Sequence, residues 1–108
     1  MAIASYAITN SSSTAYTSSV TGSQIGNAIT CMIICNTTVS TTATLTMWAV
    51  ASGGSASTTN MILNALSIPP GETVSLDQEK LVLASGDFIR VQASVNSALS
   101  LTISTLPV

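Results

Sequence analysis

Very few residues of this chain could do chemistry. Six side chains carry charge, Glu72, Asp77, Glu79, Lys80, Asp87 and Arg90, and histidine is absent. Without histidine the chain lacks the commonest general base and metal ligand, and Ser-His and Cys-His nucleophile arrangements cannot form. A lysine-activated serine would have to use Lys80, but no Ser-x-x-Lys precedes it and no Gly-x-Ser-x-Gly occurs. Two carboxylates suffice for glycoside hydrolysis, and Glu72, Asp77, Glu79 and Asp87 supply the types, but a chain this small and poor in aromatics offers little cleft for a sugar chain. Asp77 and Glu79 in one turn offer oxygens to calcium, yet the Asp-x-Asp-x-Asp-Gly spacing is missing, and a solvated turn with Lys80 as counter-charge is the simpler reading. No residue is assigned a catalytic, cofactor-binding or metal-binding role, no cofactor is expected, and the chain is not expected to be an enzyme.

Other conspicuous residues read as structural. Cys31 and Cys35 fall in an apolar run. Four strand residues separate them by ~13 Å, whereas a disulfide needs Cα atoms within ~7 Å, so they are expected as reduced core cysteines. Trp48 is expected to pack in the core or at a subunit interface. Asn10-Ser11-Ser12 and Asn36-Thr37-Thr38 match the glycosylation sequon, but read here as turn chemistry. Gly53-Gly54 is not a phosphate loop, since no lysine or helix signal follows.

The elements that carry these residues are extended. Only 6% of the 108 residues are charged while 46% are hydrophobic, and serine and threonine supply roughly a third of the chain. β-Branched residues fit a pleated surface, and no helical periodicity appears. Alternation and turn residues predict about eight short strands, at 3–9, 28–36, 43–50, 60–68, 73–76, 81–83, 88–94 and 99–105, with a further strand around 15–20. Ser52-Gly53-Gly54-Ser55, Pro69-Pro70-Gly71 and Ala84-Ser85-Gly86-Asp87 mark the turns. The expected fold is one all-β domain over 1–108, an antiparallel β-sandwich of Greek-key or jelly-roll type, with a Ser/Thr-rich N-terminal segment of about 1–27 suited to an extended arm. Strand 28–36 is apolar on both faces and is expected to be covered on both, so Ile33→Asp should prevent folding. Thr44 is expected to face outward, and Thr44→Lys should spare the fold while weakening assembly if that face is an interface.

Charge distribution bears on partners. Residues 1–71 carry no charged side chain and the formal net charge is −2. A neutral surface favours association over colloidal solubility. Two basic residues cannot neutralise the phosphates of a nucleic acid. No strictly apolar run exceeds the five residues of 31–35, far too few to span a bilayer, and residues 1–8 lack signal-peptide features. Neither nucleic acid nor membrane is expected as a partner.

Ile34-Cys35-Asn36-Thr37-Thr38, Leu45 to Val50 and Ala51-Ser52-Gly53-Gly54-Ser55-Ala56 together resemble small β-sandwich virion structural proteins of tailed bacteriophages. The likeness continues through Leu66-Ser67-Ile68-Pro69-Pro70-Gly71-Glu72 and Leu81-Val82-Leu83-Ala84-Ser85-Gly86-Asp87-Phe88-Ile89-Arg90, covering about 28–105. The resemblance implies a capsid decoration or cement subunit, associating with itself as a trimer or other small homo-oligomer and bound to the major capsid or another virion protein. It implies synthesis in the host cytoplasm and residence in the virion. A tail, fibre or head-tail component is the close alternative, and a glycan-binding module using Tyr6, Tyr16, Trp48 or Phe88 a more distant one. The resemblance carries over no functional residue.

Overall fold

A computed structural model describes residues 2–20, 22–76 and 81–108. In chain order the strands are β1 (Ala2–Ile8), β2 (Ser13–Thr17), β3 (Asn27–Asn36), β4 (Ala43–Val50), β5 (Met61–Ile68), β6 (Thr73–Leu76), β7 (Leu81–Leu83), β8 (Phe88–Ala93) and β9 (Leu99–Pro107). One sheet runs β1-β9-β3-β6, with β7 also on β3, and the other runs β2-β8-β4-β5. The strand pairs are antiparallel and nested: β1 with β9, β2 with β8, β3 with β6 and β7, and β4 with β5. Pairing of β3 with β9 and of β4 with β8 completes the two sheets. The chain is therefore an all-β sandwich with the strand order of a jelly roll.

The described residues of the 1–27 segment are not an extended arm. They supply β1 and β2, one to each sheet, and bury Ile8 and Ala15 in the core. Strand β2 ends at Thr17, and the buried Ser18 beyond it bonds the 86–87 turn through its backbone while its hydroxyl donates to Leu83 O (3.1 Å) and accepts from Asn27 Nδ2 (2.9 Å). The acidic turn expected at Asp77-Gln78-Glu79, with Lys80 beside it, lies outside the described residues.

The core sits between the sheets. In β9, Leu99, Leu101 and Ile103 face inward while Ser100, Thr102 and Ser104 alternate outward, and in β8 Ile89, Val91 and Ala93 do the same against Phe88, Arg90 and Gln92. Each fully buried Ile or Leu contributes about 1.5–3 kcal/mol. The turns use their glycines as expected. In Pro69-Pro70-Gly71-Glu72, Pro70 fixes φ, Gly71 takes φ +73°, and Glu72 N donates to Pro69 O (3.1 Å).

Strand β3 departs from expectation. Ile29 pairs with Thr105 but Cys31 pairs with Ser104, so the register shifts at Thr30, which is inserted as an extra residue in the ladder with β9. This β-bulge reverses the inward parity. Asn27 and Ile29 face inward before it, Met32, Ile34 and Asn36 after it. Consequently Cys31 and Cys35 are partly exposed free thiols rather than core residues, and Ile33 is 40% exposed. The strand is covered on one face only.

Asn36 closes the end of β3. Fully buried, it donates from Nδ2 to Thr41 O (2.8 Å) and Ile68 O (2.9 Å), and its Oδ1 accepts from Thr38 N (3.0 Å) and Thr38 Oγ1 (2.7 Å). It thus ties one sheet to the last residue of β5 in the other.

Thermal unfolding followed by circular dichroism should therefore show that Ile33→Asp folds, whereas Ile34→Asp, which places a charge in the core, does not. Asn36→Ala should cost about 1–3 kcal/mol, because truncation takes the amide donor from the buried Ile68 carbonyl.

Candidate functional site

Period-two alternation and the β3 bulge together build the outer face of the β1-β9-β3-β6 sheet. The register arranges its side chains in rows: Leu106, Ala28 and Val82; then Ile3, Ser104 and Cys31; then Ser5, Thr102, Ile33 and Ser75; then Ala7, Ser100, Cys35 and Thr73. Every side chain in these rows is small, hydroxylated or apolar, and none is charged. Apolar exposure gathers at one end, where Ile3 is 72% and Val82 62% exposed. Exposed Ile25 and Val108 adjoin that end, linked by the Ile25 N to Val108 O hydrogen bond (2.7 Å). Contiguous exposed apolar surface of this kind is characteristic of interaction sites.

The outer face of the second sheet is built differently. Trp48 and Val50 lie on it, opposite in parity to the inward Leu45 and Met47, yet both are buried. Trp48 therefore belongs to neither the inter-sheet core nor an open surface. The 51–60 loop folds back here: a Cβ on Gly54 would come within 3.3 Å of Val50 Cγ1. Asp87 fastens the loop to the 84–87 turn, its Oδ1 accepting from Ser52 N and its Oδ2 from Ala84 N (both 2.9 Å). Gly86, at φ +87°, is required beneath it, because a Cβ there would lie 2.5 Å from Ser52 Oγ.

Between this loop and the β2 edge lies a recess of ≈ 350 Å³ lined by Ser12, Gly54, Ser55, Ala56, Phe88 and Arg90. Arg90 donates from Nε to Ser12 Oγ (2.7 Å), from Nη2 to Ser12 O (3.2 Å) and from Nη1 to Thr14 Oγ1 (3.4 Å). A guanidinium has five N–H donors, so these bonds leave one on each terminal nitrogen. A carboxylate is the group that such a pair fits.

The residues singled out by type do not converge. Glu72 is exposed in the turn before β6, Asp87 is engaged by two backbone amides, and Asp77, Glu79 and Lys80 lie outside the described residues. Among the described residues no group of three His, Cys, Asp or Glu side chains could hold a metal ion. Of the aromatics, Tyr6 and Tyr16 pack partly buried against the core, and Phe88 lines the recess. Burial, with Tyr16 nearby, raises the Tyr6 phenol above its ordinary range. Sequence reasoning missed the recess, because Ser12, the 54–56 loop and Phe88 meet only through the pairing of β8 with β2 on one side and with β4 on the other.

No family model and no curated protein sequence matches the chain. Among solved structures, the chain is similar to one in the structure of infectious bursal disease virus, Gx strain, with a TM-score of 0.45 and 11% identity. The match covers 97% of this chain and spans 29% of the length of that one.

Asp87→Ala should lower stability by about 1–3 kcal/mol, since two backbone amides lose a charged acceptor. Hydrogen exchange should quicken at Ser52 and Ala84 while the amides of β9 stay protected.

Proposed function

We propose that this chain is a non-enzymatic structural protein of a virion, self-associating and binding a capsid lattice as a decoration or cement subunit. The observation that carries this reading is the uncharged outer face of the β1-β9-β3-β6 sheet. Four ordered rows of hydroxyl and apolar side chains can be covered without desolvating a single charge, the costliest step in burying a protein surface. A jelly roll is compatible with such a role but also houses lectins and other modules, so the argument rests on the surface.

A second reading draws on the recess. Phe88 offers an apolar ring beside the two unused N–H groups of Arg90, a combination suited to a sugar bearing a carboxylate.

The structural reading is tested by co-sedimentation of purified chain with capsids assembled from the coat protein of the same genome. Saturable binding that Thr102→Lys reduces at least tenfold is expected, and a chain that stays in the supernatant would overturn the reading. Reproducible, competable capture of acidic glycans that is lost in Arg90→Ala would favour the second.

A further inference from the structure

We infer that the free edge of β1 is the self-association edge of this protein, where a second copy adds its own β1 antiparallel about a two-fold axis at Ser5. The inference rests on the self-association part of the proposed function and names the surface that performs it.

The argument begins with the edges of the two sheets. An edge strand presents unpaired N–H and C=O groups to any strand laid beside it, and proteins blunt such edges with short strands, bulges, prolines or charges. Three of the four edges here are blunted. Strand β2 has five residues, its register shifts between Thr14 and Tyr16, and the Arg90 guanidinium lies against Ser12 and Thr14. Strand β5 shifts register twice against β4, and Ala65 takes φ +52°. On the far side of β3 the edge is divided between the four residues of β6 and the three of β7.

Strand β1 has none of these devices. Its seven residues keep an unbroken register with β9 from Ala2 opposite Thr105 to Ile8 opposite Leu99, and it contains neither proline nor charge. Among the described residues no strand pairs with its other side.

The composition of β1 selects a second copy as occupant. An antiparallel pair about Ser5 sets Ile3 against Ala7 and Ala4 against Tyr6, a large side chain facing a small one in each case. No like charges meet. The two-fold axis stands perpendicular to the sheet, so the two uncharged outer faces join into one surface, ordered β6-β3-β9-β1-β1-β9-β3-β6 with β7 beside β3 in each copy. Each exposed Ile3 gains the Ala7 of the other copy as its cross-strand neighbour on that face.

Size-exclusion chromatography with light scattering tests this on the full chain. The wild type should elute with at least twice the monomer mass. Ser5→Lys, which sets two ammonium groups side by side at the axis, should at least halve that mass with unchanged circular dichroism. Ser67→Lys, on the β5 edge, should leave it unaltered. In a chain carrying Cys31→Ser and Cys35→Ser, Ser5→Cys should form a disulfide-linked dimer on mild oxidation, a readout that stands even if the lysine variant misfolds. An oligomeric wild type whose Ser5→Lys variant keeps its mass and whose Ser5→Cys variant does not cross-link would overturn the β1 edge and leave self-association standing. A monomeric wild type would overturn both.

Discussion

One extra residue in β3 sets the arrangement of an entire sheet. Strand β3 pairs with β9 on one side and with β6 and β7 on the other, so its facing governs its neighbours'. Without Thr30 as a bulge, either Ile29 or the pair Met32 and Ile34 would turn to solvent. With it, all three reach the core and the thiols of Cys31 and Cys35 are displaced to the outer face. Thr30 is itself anchored, its hydroxyl donating to Ser104 O at 3.1 Å. The core and the candidate interaction surface are two outcomes of that local insertion.

Much of the fold is legible in the residues. Alternation in β4, β8 and β9 indicates both the strands and their inward faces, because each of those ladders with its sheet neighbour β8 or β4, or with β1, runs without a slip. Strand β3 defeats the same reasoning: its residues are apolar at both parities, so nothing in their order marks the bulge or exposes Ile33. Strand β1 matches the strand expected at 3–9, whereas β2 lies in a polar stretch where Ser and Thr serve equally as loop and as outward strand residues. Trp48 is likewise hidden, since its burial depends on residues outside the inter-sheet core. The recess was the least legible feature, assembled from segments far apart in the chain.

Charge is used here as a fastener. Asp87 joins two turns through their amides, and Arg90 ties β8 to the segment before β2. Asn36, though neutral, does comparable work in the interior by bridging the sheets at the β3–β4 corner. Among the described residues, two of the groups that type alone marks as candidates for chemistry, Asp87 and Arg90, are thus committed to holding loops in place.

The uncharged outer face has a consequence for how its contacts respond to surroundings. Ionic atmospheres weaken attraction between opposite charges and soften repulsion between like ones, and neither effect has anything to act on across these rows. Contacts made there neither loosen in brine nor tighten in fresh water, and strongly hydrated salts only reinforce their apolar share. Ionic strength, the variable that most often tunes protein association, leaves this surface nearly untouched.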